Sequence, residues 1–250
     1  MSGIINPTLN DLNTSRSNFA SHYSVSGVAA FGQDIVINWA LFKTAVEVQG
    51  GIADIPNIVL KFIHCYDPLS HLWYLVMQVC HLASNGKNID QLGARFTLKS
   101  GLPPTASALT TDYDPNYFAH VLYNGTPVNK SVNVNYVVMP WICQIKDMSC
   151  ENGLTSSAVA NIKFSCASFD YTANVPASSL VAWPHTICAF MNTTTNGDYV
   201  NNNPVTGTST MFVNRAADMA SMCPPCCGVY SWPAGLPTTQ QCTGLGKHNK

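Results

Sequence analysis

The stretch from Asn57 to Leu82 constrains the fold more than any other. Two runs rich in β-branched and aromatic residues, Asn57 to Tyr66 and His71 to Leu82, flank the segment Asp67-Pro68-Leu69-Ser70. A four-residue connection opening with Asp-Pro suits a type I turn, because Asp bonds to the following backbone and Pro presets φ. Side chains alternate across a strand. The hairpin closed by this turn therefore sets Phe62 opposite Leu75 and His64 opposite Trp73 on one face. Ile63 and Cys65 then oppose Tyr74 and Leu72 on the other. Both faces are largely apolar, so the hairpin is expected at the centre of a sheet covered on both sides.

Further elements follow from the same reasoning. Asn38 to Gln49 reads as a helix: Asn38 is the N-cap, Trp39, Phe42, Ala45 and Val46 share one face, and Gly50-Gly51 ends it. Strands are expected over Ala94 to Leu98, Asn116 to Tyr123, Val132 to Gln144 and Val159 to Tyr171. Pro140 implies a bulge, an edge or a division within the third of these. Turn residues separate the strands at Gly101-Leu-Pro-Pro104, Asn124-Gly125 and Glu151-Asn-Gly153, and Phe212 to Met222 reads as a short helix. These elements predict an α+β, β-rich fold: a mainly antiparallel sheet or sandwich with one or two short helices. It is flanked by an aperiodic N-terminal arm (residues 1–30) and a Cys/Pro/Gly-rich tail (223–250), with the globular domain over 31–222.

Charge narrows the functional classes. Of the 250 residues only 10% are charged, against ~25% in an average soluble domain. Asn, Thr and Ser take their place, as in Asn192-Thr-Thr-Thr-Asn196 and Asn201-Asn-Asn203. A net charge of −1 with scattered basic residues argues against nucleic acid, which needs a basic stripe. The same near-neutrality favours association between copies. No apolar run reaches the ~20 residues of a membrane helix; Leu72 to Leu82 is too short and contains Gln78 and His81. The N-terminus, Met1-Ser-Gly-Ile-Ile-Asn-Pro7, has neither the basic nor the apolar part of a secretory signal. The location is thus left open between the cytoplasm, unconventional export, and a chain given without its leader.

The ten cysteines raise chemistry. Cys223-Pro224-Pro225-Cys226-Cys227 with Cys242 provides four thiolates for zinc, or a C-x-x-C thiol pair for redox exchange. The spacing completes only half of a zinc site, because no second C-x-x-C follows and Cys226 and Cys227 are adjacent. A tail tied by disulfides or packed thiols is the favoured reading. His64-Cys65 and Cys80-His81 put neighbouring residues on opposite faces and so suit core packing rather than chelation. Asp112-Tyr-Asp114, with Asp147 and Glu151, lacks the further oxygen ligands of a calcium loop. Four Asn-x-Ser/Thr sequons, at Asn13, Asn124, Asn129 and Asn192, are expected by chance in this composition. No nucleophile elbow, phosphate loop, dinucleotide fingerprint or zinc-protease motif occurs. Trp141, Trp183, Trp232, Tyr230 and Tyr123 would suit a carbohydrate groove, yet such aromatics more often anchor cores and interfaces. Tyr230 and Trp232, in a tail with no core of its own, are the interface candidates.

The run Val59-Leu-Lys-Phe-Ile-His-Cys-Tyr-Asp-Pro68, then Leu72-Trp-Tyr-Leu-Val-Met77, together with the Cys223-Pro-Pro-Cys-Cys227 tail, resembles uncharacterised small proteins of Bacteroidota. Those proteins join a short helix, an aromatic hairpin and a Cys-Pro-Pro-x-Cys tail. The resemblance implies no activity and leaves much of residues 90–210 unmatched. Taken together, the sequence predicts a non-enzymatic structural protein that assembles with copies of itself into a filament or lattice. A zinc or thiol-redox module on the tail cysteines is the alternative, and a carbohydrate-binding sandwich a further one.

Overall fold

A computed structural model describes residues 9–25, 32–48, 58–82, 89–128, 136–140, 159–168, 185–193, 197–199, 217–219 and 221–223. The Asp-Pro hairpin is its centre. β3 (Ile58–Asp67) and β4 (Leu72–Leu82) pair antiparallel over their whole length. Around them, β5 (Ile89–Leu98), β6 (Thr105–Ala106), β9 (Tyr136–Pro140) and β14 (Ser221–Cys223) complete a six-stranded sheet in the order β14-β9-β3-β4-β5-β6. Both hairpin strands are interior, as two apolar faces require.

The pairing differs from the sequence expectation in register. Phe62 lies opposite Met77 rather than Leu75, and His64 opposite Leu75 rather than Trp73. The turn itself is the reason. Asp67 stays in the ladder opposite Leu72 while its carboxylate accepts hydrogen bonds from the Leu69 and Ser70 backbone N–H groups. The bend therefore moves to residues 68–71, and His71 takes the left-handed conformation, φ 57°. A two-residue shift leaves every side chain on its expected face.

A second antiparallel sheet has the order β12-β11-β10-β2, built from β2 (Ile35–Asn38), β10 (Val159–Ser168), β11 (His185–Thr193) and β12 (Gly197–Tyr199). β13 (Ala217–Met219) also pairs with β11. Its inner face carries Ile162, Phe164, Cys166, Ile187, Ala189 and Met191 into one core with Leu60, Phe62, Leu75, Met77, Val137 and Met139 of the first sheet. The Phe62 and Phe164 rings meet at 5.1 Å across that core. Helix α2 (Trp39–Glu47) closes it with Trp39, Phe42 and Val46, and the Asn38 side chain caps its N-terminus on the Leu41 N–H, as predicted. The architecture is thus β-rich and antiparallel with few short helices.

Three expectations are corrected. Residues 9–25, assigned to a bare arm, form helix α1 (Leu9–His22) and strand β1 (Tyr23–Val25), and Phe19, Tyr23 and Val25 enter the main core. Asn116 to Tyr123 is not a single strand. Asp114 caps helix α3 (Pro115–His120) through the Asn116 and Tyr117 N–H groups, with Pro115 at its first turn. Only β7 (Val121–Tyr123) is extended; it pairs with β1 and, across the Asn124-Gly125 turn, with β8 (Thr126–Pro127). Both turn residues have positive φ, 50° and 75°, the conformation such tight hairpins demand. Finally, the segment read as a helix over 212–222 contains strands β13 and β14, paired with β11 and β9.

Candidate functional site

Among the described residues, ionisable side chains gather in three places. The first is sealed in the core. His64 of β3 and His185 of β11 stack across the two sheets with ring centroids 3.6 Å apart and planes 16° from parallel. Phe19, Tyr23, Trp73 and Tyr117 pack around the pair. The Tyr117 hydroxyl bonds to His185 Nδ1. Both ring nitrogens of His64, Nε2 of His185 and Nε1 of Trp73 have no hydrogen-bond partner among the described residues. Burial among apolar rings opposes a charge, so the His64 pKa is pushed down to about 3. Burial, and then the neighbouring His64, hold His185 well below its ordinary value. Burial likewise raises the Tyr117 hydroxyl well above the usual phenol range. Burial thus favours the neutral form of all three groups, and each is nearly inaccessible to solvent. Their rings pack between the two sheets.

The second place lies on the outer face of the first sheet. Lys61, Gln78 and Arg95 line up across β3, β4 and β5. One oxygen of Asp112 accepts from both Lys61 Nζ, at 2.7 Å, and Arg95 Nη2, at 2.6 Å. Lys61 also sits 5.1 Å from the Tyr136 ring centroid, and Arg95 donates to the Thr111 carbonyl. The two carboxylates singled out from sequence therefore have separate structural tasks: Asp112 neutralises buried cations, while Asp114 caps α3 and accepts the Tyr66 N–H. Asp147 and Glu151 lie outside the described residues.

The third place is at α1. Asp34 accepts from Ser165 Oγ at 2.6 Å and lies 3.4 Å from Lys163 Nζ and 3.6 Å from Arg16 Nη2. Lys163 and Ser165 are neighbours on one strand face of β10, but Arg16 and Asp34 come from distant elements, so no local motif announces the cluster. The same holds for His64, Tyr117 and His185, which only the docking of the two sheets brings together.

The tail residues contribute little geometry. The backbone of Cys223 ends β14, opposite Tyr136. Cys226, Cys227, Cys242, Tyr230 and Trp232 lie outside the described residues, as do Trp141 and Trp183. Tyr123 packs against Tyr23 and His22. Four other cysteines, Cys65, Cys80, Cys166 and Cys188, are buried and not in disulfides. Among the described residues no three His, Cys, Asp or Glu side chains converge as metal ligands. No described helix is long and apolar enough to cross a membrane. No family model matches the chain, and neither a curated protein nor a solved structure is detectably similar to it.

Proposed function

We propose that this protein is a non-catalytic structural β-sandwich that associates with copies of itself into a filament or ordered array. The observation that carries this reading is the use of charge. Every Lys, Arg, Asp and Glu whose side chain is described is engaged within the chain. Arg16 and Lys163 meet Asp34, Lys43 meets Glu47, Lys61 and Arg95 meet Asp112, Lys99 meets Asp67, and Asp114 caps α3. With a net charge of −1, such a surface repels its neighbours weakly. Large apolar side chains meanwhile face water. Leu69 in the hairpin turn is 93% exposed and Leu102 in the β5–β6 connection 55%, and Leu41 and Val48 lie on the outer side of α2. The zinc or redox alternative rests on the spacing of Cys223, Cys226, Cys227 and Cys242, and the carbohydrate alternative on the aromatic residues of the sequence.

Light scattering and electron microscopy of the full chain across protein and salt concentrations test the proposal. Association driven by apolar burial persists at 1 M salt, where the screening length falls to about 3 Å. Leu69→Lys, at a position already in water, should weaken assembly without lowering stability. A monodisperse monomer at all concentrations would refute self-association.

A further inference from the structure

The His64–His185 stack joins the two large sheets at the place where the small sheet, β1-β7-β8, docks on them. Among the described residues that small sheet shares no strand pairing with the other two. Side chains dock it instead. Tyr23 of β1 and Tyr117 of α3, which runs directly into β7, lie with ring centroids 5.1 and 5.6 Å from His185. Imidazole is a costly filling for such a junction. Both nitrogens of His64 and Nε2 of His185 have no hydrogen-bond partner among the described residues. A buried polar group left unpaired lowers stability, whereas an apolar ring of similar shape would not. What the imidazoles add over such a ring is the capacity to take up protons.

The groups around the stack offer a proton no counter-charge. The titratable side chains that face it are Tyr23, Tyr117 and, beside Tyr117, Cys166 of β10. β4 contributes Trp73. The charged groups of the surrounding elements turn elsewhere. Arg16 of α1 and Lys163 of β10 meet Asp34, and Lys61 meets Asp112 on the other face of β3. His22 meets Asn124 and Tyr123, and His120 of α3 packs on Tyr66, whose hydroxyl bonds to His71. Asp114 at the start of α3 accepts the backbone N–H groups of Tyr66, Asn116 and Tyr117. An imidazolium in the closed stack would therefore lack a carboxylate among the described residues, and two would lie 3.6 Å apart. Burial accordingly holds both imidazoles below their ordinary range.

We propose that the stack is an acid-operated latch: two protons entering it together release the β1-β7-β8 sheet, with α3, from the inner faces of the larger sheets. Once the rings part, water solvates both imidazolium ions, so the open form accepts protons that the closed form excludes. The closed form is fully favoured above pH 6.5, the ordinary imidazole value, and loses that advantage as pH falls. The element with two states is the docking of the small sheet. The β3–β4 and β10–β11 ladders each lie within one large sheet and stay paired when it lifts.

Hydrogen exchange of the full chain, read by mass spectrometry between pH 6 and 5 and corrected for the intrinsic rate, tests the latch. Two imidazoles of ordinary pKa in the open form raise the open fraction by about 60-fold over that interval, and one raises it by about 8-fold. Peptides from β1, α3 and β7 should show the larger factor, while those from β3, β4, β10 and β11 keep their protection. His64→Phe and His185→Phe should each reduce the factor toward about 8-fold, and the double variant should abolish most of the pH dependence. If the variants at His185 fail to fold because Tyr117 loses its partner, His64→Phe, which removes two unpaired nitrogens, decides alone. Three results would each overturn the proposal. One is exchange of the β1, α3 and β7 peptides that does not rise in acid. Another is an equal rise in every peptide, which is global unfolding. The third is a rise as steep in folded His64→Phe as in the parent, which would assign it to another group such as Asp114.

Discussion

On the inner face of the β3–β4 hairpin His64 lies among aromatic rings and carries no charge, whereas three residues earlier, on the outer face, Lys61 is just as buried and keeps an ion pair. Both side chains are 2% exposed. What differs is the partner. The inner face meets a second sheet, where the described neighbours of His64 are Trp73, Tyr117 and His185, so burial strips the imidazole of its proton. The outer face is covered by the segment from Ser107 to Asp114, which brings Asp112 over Lys61 and Arg95 while the Asp112 side chain stays 40% exposed. Burial alone therefore does not decide whether an ionisable group is charged. The carboxylate within reach, and its access to water, decide it.

Acid should break this comparison most strongly. The unfolded chain protonates His64 near the ordinary imidazole value of 6.5, while the folded chain resists protonation down to about 3. Between those values the unfolded state binds the extra proton. The His64 contribution is thus fully present above pH 6.5 and is lost as pH falls toward 3, for a total of roughly 5 kcal/mol. Urea denaturation at a series of pH values should show this slope, and His64→Leu should reduce it by the His64 share while the contribution of the buried His185 remains. An equal slope in the variant would assign the acid sensitivity elsewhere.

Next in size is the inner face itself. Phe62→Ala, which empties the contact with Phe164, should cost about 3–5 kcal/mol by the same denaturation measurement. Asp112→Asn on the outer face leaves two buried cations without their carboxylate. Breaking a fully buried pair costs about 3–5 kcal/mol. Because Asp112 is partly in water, a loss of about 2 kcal/mol is expected. Lys61→Met in the Asp112→Asn background should recover part of that loss, and no recovery would argue against charge as its source. Smallest is Asn38→Ala, which removes the α2 cap and should lower stability by about 1 kcal/mol while leaving both hairpin faces intact.

Much of this molecule was legible locally. The Asp67-Pro68 turn, the two-sided hairpin, the Asn38 cap and the Asn124-Gly125 turn are each written in adjacent residues. The failures have equally local causes. Asn116 to Tyr123 carries the β-prone Tyr117, Phe118 and Val121, yet the Asp114 cap and the fixed φ of Pro115 start a helix there. α1 carries few apolar residues, and the core that takes in its Phe19, with the adjacent Tyr23, is supplied by His185 and other residues of distant strands. β13 and β14 are three residues each. Strands so short are held by their neighbours β11 and β9 and not by their own propensity.

The sequence by itself determined which residues alternate, where the chain turns, and that little free charge would be available. These depend on contacts between near neighbours, whose spacing the covalent chain fixes. The tertiary structure alone decided the entry of α1 into the core, the His64–His185 stack, and which carboxylate answers Lys61 and which answers Lys163. Each of those joins groups far apart in sequence. Their energies arise only when two sheets exclude water between them, and no local pattern encodes that event.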